Sequence, residues 1–244
     1  MIKGFFNSLR NSSKALSYLF KPWVLKYLVI TGFLSLAVAA CFFILIYYFG
    51  DNLGDLIFSL FAKEDSASAI HSFLNWATRF ILWIGVGFIF KYIILIISAP
   101  LMSALSEKLE QKITGRAKKQ TAKDQLLGIS RGIKLSVSNI ARELLITVCL
   151  LLLSLIPGVA IVTAPLIFIT QSYFAGFGNV DFFLERRLNS REARQFAKRN
   201  RGLMIGNGLV FLVILLIPIL GVFVASTVAT ISGTLSGLEK LNDQ

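Results

Sequence analysis

Two stretches, Leu144–Val180 and Gly202–Leu238, each run 37 residues without Asp, Glu, Lys or Arg, and each is interrupted near its middle by Ile-Pro, at Pro157 and Pro218. At about 1.5 Å per residue, a continuous helix of that length would far exceed a hydrocarbon core of about 30 Å. A proline inside a helix removes a backbone donor and crowds the preceding turn, so each stretch is expected to form two helices meeting at a bend, with Gly158 easing the first. The uncharged halves before the bends hold 13 and 16 residues, short for a full crossing. Two further apolar runs, Tyr27–Phe49 and Phe80–Ser98, the latter broken only by Lys91, predict transmembrane helices over residues 27–49 and 76–98.

The polar segments between these runs set the expected topology. Gly50–Asn75 carries Asp51, Asp55, Glu64 and Asp65 against Lys63 alone, whereas Lys3, Arg10, Lys14, Lys21 and Lys26 precede the first helix without an acid. The positive-inside rule then places the N-terminus in the cytoplasm. Residues 99–143 carry nine Lys or Arg and residues 181–201 carry seven. A single crossing by residues 144–180 would put the second basic segment outside, so both proline-broken stretches, 144–180 and 202–238, are expected to enter and return as hairpins. Within 99–143, Leu101, Leu105, Leu109 and Ile113 predict one amphipathic helix, and Ile133, Val137 and Ile140 predict another at the lipid headgroups. Asn189 followed by Glu192 predicts a capping box opening a basic helix from Ser190 to Arg201. The fold class is therefore all-α integral membrane protein, one membrane domain over residues 1–244.

Composition supports that class. Hydrophobic residues make up 55% of the chain, with 21 Phe, and the mean hydropathy is +0.72, well above that of soluble domains. The net charge of +12 is spread between apolar runs rather than gathered on a basic domain, which argues against nucleic acid. Cys41 and Cys149 lie inside apolar runs as small hydrophobes; Val38-Ala39-Ala40-Cys41 resembles a lipoprotein processing site, but Phe42–Phe49 continue the apolar run, so no cleavage is expected. A single histidine, His71, permits no His-based metal cluster. No Gly-rich phosphate loop or nucleophile–base set appears, so neither enzymatic activity, an energising ATPase nor a cofactor is expected.

Permeation fits better. Anions are held by helix-start amides and a few cations, weakly enough for release. Lys26 follows Pro22-Trp23-Val24-Leu25 at a helix start and reads either as an anion ligand or as an interfacial Trp/Lys anchor. Lys91 reads as a secondary cation or as a snorkelling side chain. The Leu-Ile-Pro of 155–157 recurs at 216–218, and such paired interruptions either wall a transport site or mark kinked helices that merely pack.

Several segments resemble one family. Ile97-Ser98-Ala99-Pro100-Leu101 through Thr114-Gly115, Ile156-Pro157-Gly158 with Ala164-Pro165, Asp181-Phe182 with the basic helix after it, Ile217-Pro218 and Ala229-Thr230 resemble, in order, the CysZ sulfate permeases of the etoposide-induced superfamily. The resemblance spans Pro22 to Thr230. It implies two long transmembrane helices, two pairs of partly penetrating helices, homo-oligomers in a bacterial inner membrane, and sulfate passage for cysteine synthesis. It further implies an anion site at Trp23, Val24, Leu25 and Lys26, where the family has Gly, an aliphatic residue and two arginines after a proline. Trp23 replaces that glycine, Leu25 the first arginine and Lys26 the second, and lysine lacks guanidinium's planar fork. A scaffold that kept the fold and lost the anion site is the alternative.

Overall fold

The computed structural model describes residues 1–61, 93, 96–115, 122–156, 158–217 and 220–242, and the regular elements among them are all α-helices. In chain order they are α1 (Ile2–Leu19), α2 (Pro22–Phe61), α3 (residues 96–114), α4 (Ala122–Ser154), α5 (Ala160–Leu184), α6 (Ser190–Arg199), α7 (Arg201–Leu215) and α8 (Leu220–Asn242). The chain divides into two compact units, Met1–Leu34 with Leu95–Gln244, and Ser35–Ile94. The second contains the later part of α2. Lys91, Pro157, Pro218, His71 and most of the expected 76–98 helix lie outside the described residues.

Among the described residues, three helices are long and apolar enough to cross a membrane: Pro22–Ile44, Ser130–Ser154 and Ala160–Leu184. The middle one changes the expectation of a short first half. The helix that ends at Ser154 begins at Ala122 and runs 33 residues, because interfacial charges such as Arg131, Lys134 and Arg142 do not interrupt backbone hydrogen bonding. The uncharged 13 residues are only its last part. By contrast α7, with 15 residues, rises about 22 Å and falls short of a bilayer core.

At the first break, the Val159 amide donates to the Ile156 carbonyl (3.1 Å), closing a four-residue turn with Gly158 at φ +84°. That left-handed backbone strains any residue with a Cβ, which explains glycine there. At the second break the Gly221 amide donates to the Ile217 carbonyl (2.8 Å), and a Cβ on Gly221 would overlap the Ile214 carbonyl, so the opening of α8 folds closely against the end of α7. α4 contacts α5, and α7 contacts α8. α5 continues through Pro165 without ending.

The first unit exposes large apolar side chains and buries polar ones alongside its apolar core. Leu145, Leu152, Ile161, Val162 and Leu216 are exposed, while Ser12, Asn139, Thr147, Asn179, Asn207 and Thr230 are buried. α1 follows the same logic: Ile2, Phe6 and Leu16 face outward, and its buried face is Ser8, Asn11, Ser12 and Ala15. Asn11 donates to Ser236 Oγ and to Glu239 Oε2 (both 3.0 Å), and the Ser12 and Ser232 hydroxyls meet at 2.9 Å, joining α1 to α8.

α7 sits among α1, α5 and α8. Its glycines allow the close approach: a Cβ on Gly202 would strike the Met1 carbonyl, and one on Gly208 would strike the Ser172 carbonyl of α5, where Gly176 faces Met204 reciprocally. Small residues at crossings compensate for the missing hydrophobic drive between helices in lipid. Asn207 adds a hydrogen bond to the Ala229 carbonyl of α8 at 2.8 Å. Below this crossing Phe177, Phe183, Leu184, Ala197, Leu203 and Met204 form a common apolar core.

Candidate functional site

The sequence-predicted anion segment opens α2. The Val24 and Leu25 amides both donate to the Lys21 carbonyl, at 2.8 and 3.1 Å, and Pro22 has no amide, so the helix start offers chiefly the Trp23 N–H. Val24 is fully buried, whereas Leu25 and Lys26 are exposed. Lys26 Nζ lies 5.4 Å from the centroid of the Tyr27 ring. Two cations outside the predicted set converge here: Lys108 and Lys112 of α3 lie over the Trp23 indole at 5.9 and 5.7 Å. Their i, i+4 spacing places both on one helical face, and the indole supplies a cation–π surface. Trp23 and Lys26 thus belong to a lysine-rich corner. The bends at Gly158 and near Ile217 are not brought to that corner by any hydrogen bond or ion pair among the described residues.

α3 buries a different stripe from the expected one. Met102, Leu105, Ser106, Leu109 and Glu110 face inward, while Ile113 is exposed and Leu101 is partly covered. A strict four-residue repeat drifts around a helix of 3.6 residues per turn, and the buried face follows the 3–4 alternation instead. Its consequence is chemical, because this face carries Glu110 and Ser106 into an ionic cluster.

That cluster joins α3 to the end of α5. Arg186, whose side chain is 1% exposed, pairs with Glu110 at 3.2 Å. It also donates to the Phe182 carbonyl (2.8 Å), the Ser103 carbonyl (3.2 Å) and Ser106 Oγ (2.9 Å). Arg187 pairs with the other Glu110 oxygen and stacks on Phe183, 4.2 Å from its centroid. The Ser106 and Thr234 hydroxyls meet at 2.8 Å, bringing in α8. One turn before, Asp181 receives a bidentate pair from Arg131 of α4 at 3.0 and 3.1 Å. Such forks fix geometry as well as charge.

Glu185 completes the group, accepting from the Ser103 hydroxyl. Burial pushes its carboxyl up to about 7, with Asp181 adding repulsion and the Ser103 hydrogen bond opposing the rise. Burial likewise lowers the Arg186 guanidinium below its usual value, against the opposing pull of Glu110. The described arginines and carboxylates nearly balance, and Glu185 can exchange a proton near neutrality. The arrangement ties four helices, α3, α4, α5 and α8, together and offers a titratable group beside fixed charges.

Sequence reasoning missed this cluster, as Glu110 and Arg186 lie 76 residues apart. The local signal was acids at 181 and 185 and an Arg-Arg pair at 186–187 beside an otherwise uncharged run. Among the described residues, no three His, Cys, Asp or Glu gather as a metal site.

A comparison with curated proteins gives no match. The family model for sulfate transporter CysZ/etoposide-induced protein 2.4 matches residues 12–226. Those residues include the lysine-rich corner, both chain breaks and the Glu110, Asp181 and Arg186 positions of the ionic cluster. Together with three helices able to span a bilayer, the match identifies a multi-pass membrane protein that belongs to the sulfate transporter CysZ/etoposide-induced protein 2.4 family.

Proposed function

We propose that this chain is a CysZ-like permease for sulfate or a related small oxyanion, working without an ATPase of its own. The family match over residues 12–226 carries the proposal. The protein acts in a bacterial inner membrane as a homo-oligomer, with both termini cytoplasmic, and supplies sulfate for cysteine synthesis. Residues 144–180 and 202–238 form partly penetrating hairpins whose bends, at Pro157-Gly158 and Pro218, wall the pathway. The 15-residue length of α7 supports partial penetration for the second.

In this reading the anion meets the protein at Trp23, Val24, Leu25 and Lys26. Lys108 and Lys112, over the Trp23 ring, compensate for the leucine at position 25. Point charges bind a dianion loosely, which suits passage rather than storage. A scaffold without transport is the second reading, and the observation favouring it is that the Val24 and Leu25 amides are already engaged by Lys21.

Sulfate flux into proteoliposomes separates the two. Flux above that of empty vesicles, reduced about tenfold by Lys26→Ala combined with Lys108→Ala, and raised by Leu25→Arg, is expected of the permease. Flux equal to empty vesicles in every variant establishes the scaffold.

A further inference from the structure

We propose that a cavity between α4, α5 and α6 is a binding site for an anionic phospholipid, separate from the lysine-rich corner and independent of whether sulfate is carried. The cavity measures about 240 Å³ and is lined by Asn139, Arg142, Leu145, Ile146, Tyr173, Phe174, Phe177, Arg194 and Lys198. Three cations line it and no carboxylate does. Arg194 and Lys198 stand one turn apart on α6, a helix whose start is fixed by the Asn189–Glu192 capping box, with bonds of 2.8 to 3.0 Å. Arg142 reaches the same cavity from α4, two residues before the uncharged run begins. Its charge therefore stands at the polar edge of an apolar surface.

The remaining wall is what a free oxyanion does not need. Phe174 and Phe177 are buried and form an apolar floor, while Leu145 and Ile146 are exposed and lead onto the lipid-facing surface of Val148 and Leu152. A phosphodiester can pair with Arg142, Arg194 and Lys198 and accept hydrogen bonds from Tyr173 and Asn139. Its acyl chain then follows Leu145 and Ile146 outward. Among the described residues, Arg131, Arg186 and Arg187 have carboxylate partners, whereas no ion pair joins Arg142, Arg194 or Lys198 to an acid. These three charges are left to an external anion, and juxtamembrane cations attract anionic headgroups.

The test uses the purified full-length chain in detergent, titrated with phosphatidylglycerol or with phosphatidylcholine of the same acyl chains, and bound lipid is counted by native mass spectrometry. Phosphatidylglycerol is expected to bind at least about tenfold more tightly. Arg194→Ala with Lys198→Ala should abolish that preference, and Arg194→Lys with Lys198→Arg should keep it. Should the alanine pair fail to fold, Arg142→Gln, on the exposed side of α4, should lower the preference alone. Inorganic sulfate at millimolar concentration should leave lipid binding unchanged. Equal binding of the two lipids, an undiminished preference in the Ala pair and in Arg142→Gln, or displacement of lipid by sulfate overturns the proposal.

Discussion

Glu185 links a single carboxyl to the stability of the whole helix junction. Its value in the folded chain, about 7, exceeds the 4.5 of an exposed glutamate. Between those values the folded state holds a proton that the unfolded state has released. Stability is therefore full below about pH 4.5 and falls as pH rises toward 7. At about 1.4 kcal/mol per unit, discounted for the side chain's partial exposure, the loss is on the order of 2 kcal/mol. Thermal unfolding in one detergent from pH 5 to 8 should show the midpoint falling with pH. Glu185→Gln, which keeps the shape and the Ser103 contact without the charge, should flatten this contribution. A Glu185→Gln profile parallel to the wild type across that window would show that Glu185 is ionised throughout. Arg186→Met tests the adjoining pair: it leaves Glu110 buried beside Arg187 alone, a loss of roughly 3 kcal/mol or more.

At the scale of elements, glycine placement decides which helices can touch. The α5–α7 crossing puts Gly176 and Gly208 against each other's backbones, where a Cβ meets carbonyls that cannot move aside like a side chain. Gly208→Ala should lower the unfolding midpoint sharply, by a loss of about 2 kcal/mol or more. Gly132→Ala, with nothing within 4 Å of the added carbon, should be neutral or gain about 0.5–1 kcal/mol from helix propensity. Equal effects at both positions would contradict the close crossing. How much of this was readable beforehand varied with the range of the forces involved. The Asn189–Glu192 capping box was legible because its partners lie three residues apart, and the breaks were legible because proline acts on its own backbone. The start of α4 was not, since Arg142 and Glu143 end an uncharged run without ending a helix. Nor was the character of α8. Its uncharged stretch up to Leu238 conceals Ser226, Thr227, Thr230, Ser232, Thr234 and Ser236, all buried, whose purpose appears only when α1, α3 and α7 supply their neighbours.

For the whole molecule, the side of the membrane reached by α6 distinguishes the ways the chain can thread the bilayer. Counting from the acidic segment around Ser66, the chain passes the expected helix at 76–98 and then the α4–α5 pair before arriving at α6. If α4 and α5 formed one kinked span, Arg191 would return to the face of Ser66. If they form a hairpin, whether deep or shallow, Arg191 lies on the opposite face. Two observations favour the hairpin: α4 and α5 each contain a 25-residue segment long enough to cross alone, and the Gly158 turn brings the two helices into contact with each other. Charge agrees, since one crossing would strand seven basic residues outside. Single cysteines replacing Ser66 and Arg191, in a background of Cys41→Ser and Cys149→Ser, should therefore react with an impermeant maleimide from opposite faces, in intact cells and in inverted vesicles respectively. Arg191 is exposed and its side chain takes no part in the capping box, so the label should not disturb α6. Reaction of both from one face would mean that the first broken stretch crosses once. The lipid cavity between α4, α5 and α6 would then face the outer leaflet, and the basic segment at 181–201 would violate the charge bias that orients the rest of the chain.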